Sequence, residues 1–423
     1  MRTEANKAGI GNLLNVERAR PTRSLILLGA SGSVGSSCLR FIENQSDIRP
    51  VAVSVHRNVE CVRAILNRHR TRRVCISCEQ TYRESAGDLR SRYPDTLFYG
   101  GPEGMLDMIA AAHADGADTV LTAVVGAAGI RATILALNLG LKIALANKET
   151  MVTAGPAIAN LIRSKLSDSA DPTGAPVILP VDSEHNAVFQ LLAGLRDDHI
   201  RRVILTASGG PFRDRPVEEL PFVTREEVLN HPTWSMGAKI TVDSAGMINK
   251  GLEIIEAHYL FSLPYDQLDV LIHRHSLIHA MIETRDGAYL MSGSRPHMVF
   301  PIAHALMYPE PVTNAHSFAG PPQQWPSIEF DAVASDKYPG YRLCVAAGRR
   351  GGTAPAILNA ANEVAVELFL NGELRFVDIP VLIESVLEQS TIVDEQDLEV
   401  FLAADQEARE RAAVGLAAAR GAG

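Results

Sequence analysis

Ser24-Leu25-Ile26-Leu27-Leu28-Gly29-Ala30-Ser31-Gly32-Ser33-Val34-Gly35 is the stretch that decides the fold. Ser24–Leu28 is an apolar run of the kind required by a parallel strand buried on both faces, where neither side meets water. Gly29, Gly32 and Gly35 then recur at every third position and open a helix. Glycine lets the backbone turn tightly and approach a phosphate, and the helix N-terminus behind it favours negative charge. At a first strand–helix junction this spacing predicts a dinucleotide site that runs through Ser31, Gly32, Ser33 and Val34. A plain strand–helix corner is the alternative for the spacing taken alone.

Working outward, Val51–Val55, Thr119–Val125, Leu141–Ala146 and Val177–Val181 repeat the buried-strand signature, with helical periodicity between them. The expected fold class is therefore α/β, beginning with a Rossmann-type doubly wound parallel sheet over residues 24–181. Residues 182–306 change to a mixed α+β pattern, with strands at Arg202–Thr206, Val270–His273 and Ala288–Met291 and a helix over Gly246–Phe261. Prolines crowd residues 307–337, which predicts an extended linker. Residues 338–423 have helical spacing throughout and predict a C-terminal helical bundle.

The 423 residues carry a net charge of −9, which argues against a nucleic-acid partner but not against a small phosphorylated substrate. The most apolar stretch, Asp118–Ala146, is interrupted by Arg131 and Lys142, so no membrane span is expected. Residues 1–23 lack an apolar core of the signal-peptide type and are read as a flexible extension, with a cytoplasmic location. Cys75 and Cys78 have C-x-x-C spacing, but no second pair completes a zinc site, and reduced thiols are expected. His273, His275 and His279 share a period-two face if they lie on one strand, yet no carboxylate or cysteine completes a zinc set locally.

The chemistry is concentrated at strand ends, where open α/β sheets bind ligands. After the second strand comes His56-Arg57-Asn58, with no acid to take a ribose 2′-hydroxyl; Arg57 and Asn58 thus favour NADPH over NADH, a solvated Arg57 being the alternative. Asn147 and Glu149 flank Lys148 after another strand and are read as coenzyme contacts. Asp182 and Glu184 stand two apart at a strand–helix transition, where two carboxylates call for a cation or serve as helix caps. All-oxygen ligation suits Mg²⁺ or Mn²⁺, with Co²⁺ a third candidate. Ser244 is read as the N-cap of the next helix, which also carries Asn249 and Lys250. On spacing alone, Lys250 and Glu253 look like an exposed i,i+3 ion pair.

Taken in order, GASGSVG, AVVGAAG, ALANKE, LPVDSEHNAVFQ, TASGGPFR, HPTWSMGAKITVDSAGMINKGLE, PIAHAL and LNAANEVAV resemble the 1-deoxy-D-xylulose-5-phosphate reductoisomerase family. The resemblance spans nearly everything from Ser24 to the C-terminal helices. It implies an NADPH enzyme, homodimeric, that rearranges 1-deoxy-D-xylulose 5-phosphate by retro-aldol cleavage and aldol rejoining and reduces the product to 2-C-methyl-D-erythritol 4-phosphate. It implies that Asp182, Glu184 and Glu253 hold the metal, against the surface reading of Glu253. Ser208, Ser244, Asn249 and Lys250 would bind the substrate phosphate, with Lys148 and Ser183 beside the metal. His231, Trp234 and Met236 would belong to a loop that closes over the substrate. The chain departs from the usual family pattern at His56 (for glycine), Arg274 and His275, Gly246, His297 and Val299. A dehydrogenase that reduces a phosphorylated aldehyde without rearrangement is the rival activity. A non-catalytic NADP sensor is the rival class; it would have no use for three carboxylates and a phosphate clamp.

Overall fold

The computed structural model describes residues 23–43, 45–124, 126, 128–168, 178–234, 236–312 and 318–421. Of the extension expected over residues 1–23, residues 1–22 lie outside them, as do the strand ends Val125 and Val177 and Ser235 of the closing loop; Arg23 belongs instead to the first strand. Seven parallel strands form the first sheet: β1 (Arg23–Leu28), β2 (Ile48–Val55), β3 (Arg73–Ile76), β4 (Leu97–Gly100), β5 (Thr119–Thr122), β6 (Lys142–Leu145) and β7 (Ile178–Pro180). Their order is β4-β3-β2-β1-β5-β6-β7, so the winding reverses between β1 and β5. That switch point is where an open α/β sheet leaves a crevice beyond its carboxyl edge.

Alternation along each strand serves two cores. Leu25, Leu27, Val53, Val55, Val74 and Ile76 face one side, under α1 (Ser33–Ile42), α2 (Val59–Arg68) and α3 (Glu79–Arg92). Ile26, Leu28, Val120, Ile143 and Leu145 face the other, under α4 (Gly101–Ala114), α5 (Ala128–Leu139) and α6 (Lys148–Asp168). Burial on both faces explains why these strands read as unbroken apolar runs.

The second sheet has order β11-β10-β8-β9-β12 and is mixed: β8 (Ile200–Ala207) runs parallel to β9 (Leu268–Ile272) and antiparallel to β10 (Ile278–Thr284), with β11 (Tyr289–Gly293) beyond. Residues 307–337 are not merely extended, because β12 (Asp331–Ala332) pairs with β9. α7 (Ser183–Leu192) joins the two sheets, and α8 (Arg225–Leu229), α9 (Ala238–Ala245) and α10 (Ile248–Phe261) lie between β8 and β9 in the chain. α11 (Val299–Met307) returns to cover the first sheet beside α1. Arg23 Nη2 donates to Met307 O at 2.8 Å and Lys142 Nζ to Leu306 O at 3.0 Å, which satisfies carbonyls left open at the end of α11. The C-terminal helices α12 (Pro339–Arg350), α13 (Ala354–Leu370), α14 (Ile379–Gln389) and α15 (Leu398–Gly421) pack around α13 and share a core with α9 and α10.

Two local expectations are corrected. The helix expected over Gly246–Phe261 is α10 and starts two residues later, at Ile248, because Met247 before it takes a left-handed conformation (φ 58°) and α9 ends just upstream at Ala245. Ser244 therefore sits in the last turn of α9 instead of capping α10, whose N-cap is Met247. The three histidines do not share a strand: β9 ends at Ile272, leaving His273 and His275 in the connection to β10, which carries His279.

Candidate active site

The coenzyme side begins at the β1–α1 turn. Gly29 has φ +83°, and a Cβ there would stand 2.4 Å from Ala123 O; a Cβ on Gly35 would stand 2.3 Å from Gly29 O. Both positions require glycine. Gly32 is the N-cap of α1, no side chain caps that end and no acid lies in its first turn. The first N–H groups of α1 remain available to an anion, which fits a dinucleotide pyrophosphate. Arg57 and Asn58 are exposed at the end of β2, with Asn58 Oδ1 accepting from Cys61 N at 2.9 Å as the cap of α2.

Asn147 and Glu149 flank Lys148 and are tied into the surrounding structure. Buried Asn147 donates to Gly126 O at 3.0 Å and accepts from Thr150 N at 2.9 Å, tying the β5 loop to α6. Glu149 is buried and paired with Lys239 at 3.1 Å; Lys239 also meets Asp243 at 2.9 Å. Asn362 on α13 donates to Asp243 at 2.9 Å, so the network joins the coenzyme domain, α9 and the C-terminal helices.

Beyond β6 and β7 lies a buried charge cluster. Lys148 Nζ donates to Asp182, to Asn249 Oδ1 at 2.9 Å and to Glu253 Oε1 at 3.1 Å. Lys250 Nζ contacts Glu184 Oε1 at 2.7 Å and Glu253 Oε2. Lys250 and Glu253 are 4% and 1% exposed, so the surface-pair reading is wrong. The spacing put them on one helix face, but that face points inward. Burial alone would lower the Lys148 ammonium, yet the Asp182 and Glu253 charges raise it well above the ordinary lysine value. Burial would raise Asp182, but Lys148 brings it down to about 2. Glu256 is pushed well above the ordinary range by burial and then by the Asp182 charge.

Ligand atoms of Asp182, His185 and Glu253 lie within 4.8 Å of one another. His185 Nε2, however, is hydrogen-bonded to Glu253 O at 2.9 Å, and its Nδ1 lies 3.4 Å from Glu256. With the imidazole turned to Glu253 O and Glu256, the donor set open to a cation is carboxylate oxygen from Asp182, Glu253 and the adjoining Glu184, which suits Mg²⁺ or Mn²⁺.

Across the cavity, His231 accepts from Thr233 N at 3.1 Å and Trp234 N at 2.9 Å through Nδ1. Burial and the Arg213 charge lower its pKa to about 4, so the ring is neutral with its proton on Nε2. Nε2–H then donates to Ser208 Oγ at 3.0 Å, which also accepts from Gly210 N at 3.2 Å. The Ser208 hydroxyl proton is left to point at a ligand. A single cavity of about 530 Å³ is lined by Ser33 and Val34 of the turn, Lys148, Asp182, Ser183, Glu184, Ser208, His231, Trp234, Met236, Ser244, Asn249, Lys250 and Glu253. Gly29, Ser31, Gly32, Gly35, Arg57, Asn58, Asn147 and Glu149 do not line it.

A 1-deoxy-D-xylulose 5-phosphate reductoisomerase model matches residues 25–155, a model of that enzyme's C-terminal domain matches residues 178–261, and a DXP reductoisomerase C-terminal domain model matches residues 294–411. The 1-deoxy-D-xylulose 5-phosphate reductoisomerase of Leptospira interrogans is 44% identical over 391 residues, covering 92% of this chain and 96% of the relative. The chain belongs to the 1-deoxy-D-xylulose 5-phosphate reductoisomerase family. The Listeria monocytogenes reductoisomerase is 39% identical over 388 residues, 92% of this chain and 98% of its own length. The Zymomonas mobilis reductoisomerase, solved with NADPH, superposes with a TM-score of 0.82 at 36% identity over 94% of this chain and 99% of that one. A reductoisomerase solved with NADPH, fosmidomycin and magnesium gives 0.86 at 34% identity with the same coverage.

The reductoisomerase cavity also has walls that sequence reading did not reach. Ser36, Ser37 and Arg40 line it from α1, Met247 from the α9–α10 break, and Pro296, His297 and Met298 from the lead into α11. The return of α11 beside α1 is what turns this face of α1 into a wall. Buried Lys239, His185 and Glu256 were also missed, since each finds its partner only in the folded chain.

Proposed function

We infer that the chain is an NADPH- and divalent-metal-dependent reductoisomerase. It converts 1-deoxy-D-xylulose 5-phosphate to 2-C-methyl-D-erythritol 4-phosphate on the non-mevalonate route to isoprenoid precursors. The observation that carries this reading is one cavity joining three carboxylates, four phosphate-type donors and the head of α1. When bound, the metal supplies Lewis acidity toward the substrate's oxygens, and NADPH supplies hydride.

This chain's residues hold and orient. Asp182, Glu184 and Glu253 carry the ion. Ser208, Ser244, Asn249 and Lys250 clamp the phosphate, which keeps the two fragments aligned while one C–C bond breaks and another forms. Lys148 offers ammonium protons to an oxygen of the reacting end, and Ser183 holds Glu184 through its hydroxyl. His231 and Trp234 close the cavity against water.

The enzyme is proposed to be a cytoplasmic homodimer. No helix among the described residues is long and apolar enough to cross a membrane. Edge strand β11 leaves Tyr289, Leu290 and Met291 exposed at 47, 39 and 47%, an apolar edge that pairing with a second copy would cover.

The test is NADPH oxidation on addition of 1-deoxy-D-xylulose 5-phosphate, with the product analysed by mass and NMR. A branched tetrol phosphate is expected; an unbranched reduced sugar would overturn the reading in favour of a simple dehydrogenase. Arg57→Asp is expected to weaken NADPH by about 10²-fold, through a lost charge-assisted contact and an added repulsion, while NADH shifts by no more than about threefold. Equal losses in fluorescence titration would remove Arg57 from the 2′-phosphate.

A further inference from the structure

β8 and β9 lie side by side and end together, with Ala207 opposite Ile272. One further ladder bond, His273 N to Ala207 O at 2.7 Å, closes the pairing, and the two chains then part. One continues as Ser208-Gly209-Gly210 and the other turns through His273 to Ser276; Ser208, Gly209 and Ser276 all line the cavity. Gly209 and Gly210 both have positive φ (+79° and +66°), so the loop has little side chain of its own to fix where Ser208 stands.

Arg213 takes over where the ladder stops. Its Nη1 donates to Ser208 O at 3.0 Å and reaches Arg274 O at 3.4 Å, bridging carbonyls of the two parting chains. The loop packs closely on it: a Cβ on Gly209 would stand 2.9 Å from Arg213 Cβ. The guanidinium is oriented in turn by Asp214, whose carboxylate takes Arg213 Nε at 3.3 Å and Arg274 Nη1 and Nη2 at 2.9 and 2.8 Å. Arg274 Nε reaches Asp331 of β12 at 3.3 Å. Two guanidinium groups and two carboxylates thus balance in charge and close a ring around the point where the strands diverge. A forked guanidinium on a carboxylate within such a network is the arrangement in which a partly exposed ion pair keeps a fixed geometry.

We propose that Arg213 is a positioning residue for the phosphate clamp, and that Arg274 acts through it by way of Asp214. The proposal rests on the reading of Ser208 as a phosphate ligand and deepens it. By holding Ser208 O, Arg213 fixes the main chain from which Oγ points into the cavity. Without it the hydroxyl has to be ordered by the incoming substrate, which lowers affinity. A lysine cannot replace it, because an ammonium on a flexible stem lacks the rigid plane that presents one nitrogen to two carbonyls and another to Asp214. Lys337 Nζ still donates to Arg213 O at 2.8 Å and Tyr338 OH to Gly209 O at 3.3 Å, so removing a guanidinium loosens Ser208 rather than unfolding the loop.

The test is steady-state kinetics with 1-deoxy-D-xylulose 5-phosphate at saturating NADPH and Mg²⁺, alongside the NADPH dissociation constant. Arg213→Ala is expected to raise KM for the sugar phosphate about tenfold and Arg274→Ala about fivefold, as one charge-assisted hydrogen bond is weakened, with NADPH binding unchanged within about twofold. Arg213→Lys should behave like Arg213→Ala; recovery to wild type would show that only a charge is needed and overturn the positioning role. The deciding variant is Arg213→Ala/Arg274→Ala. If Arg274 acts through Arg213, the pair loses no more than Arg213→Ala alone, whereas losses that multiply overturn the proposal. Should Arg213→Ala fail to fold, Asp214→Asn and Arg274→Ala carry the same test, since both break the ring beyond Arg213. Similar rises in KM, no larger when the two are combined, are then expected, and multiplying losses again overturn it. Ser208→Ala is the control for the clamp itself. An unchanged KM there would overturn the reading of Ser208 as a phosphate ligand; a raised KM there with a wild-type KM in Arg213→Ala would overturn the positioning role alone.

Discussion

Glu253→Gln is expected to lower kcat/KM by on the order of 10³-fold while leaving the NADPH dissociation constant within about twofold. The reasoning starts from charge. Asp182, Glu184 and Glu253 against Lys148 and Lys250 give three negatives and two positives, a net of −1 that favours a divalent cation. Glutamine removes the most buried of the three carboxylates, leaves the cluster neutral and takes one oxygen donor from the ion. An ion bound less tightly and less well placed gives up several kcal/mol of stabilisation of charge developing on substrate oxygens.

Folding should suffer much less. Lys148 keeps Asp182 and Asn249, and Lys250 keeps Glu184 at 2.7 Å, so neither ammonium is left buried alone. The large penalty of an orphaned buried charge, roughly 3–5 kcal/mol, is thereby avoided. A thermal melt with and without NADPH separates the two effects. Near-wild-type turnover in Glu253→Gln would take this residue out of the metal site; a collapse of the melting temperature would reassign it to folding.

How much of this was legible before folding depends on how local the signal is. Five strands of the seven-stranded sheet were legible because burial on both faces leaves its mark within each of them, as in Leu25 to Leu28 and Ile143 to Leu145. The turn from Gly29 to Gly35 was legible because part of its steric demand, that of Gly35 against Gly29 O, arises within seven residues. The α9–α10 break was not: Gly246 stands at the C-cap of α9, but the residue that turns left-handed is Met247, which no local preference marks. Glu253 was misread because an i,i+3 pair has the same spacing on a wet face as on a dry one. Only the tertiary contacts of Glu253 with Lys148 and of Lys250 with Glu184, 105 and 66 residues apart in the chain, make that face interior. The Glu149–Lys239–Asp243–Asn362 network draws on three parts of the chain and has no periodicity to betray it.

Chelation carries the second large effect. Treating the enzyme with EDTA is expected to remove at least about 10³-fold of its activity, while the melting temperature moves by no more than about 3 °C. Metal-dependent folds usually lose stability with their ion, because unscreened carboxylates are left facing one another. Here each carboxylate already has an ammonium partner: Lys148 for Asp182 and Glu253, Lys250 for Glu184 and Glu253. The two lysines can therefore hold the cluster together without an ion. The loss should reverse fully on adding Mg²⁺ or Mn²⁺, with no refolding lag in the recovery of NADPH oxidation. Turnover that survives chelation would remove the metal from the mechanism. A large fall in melting temperature would show instead that the lysines do not compensate the carboxylates, and that the ion is structural as well as chemical.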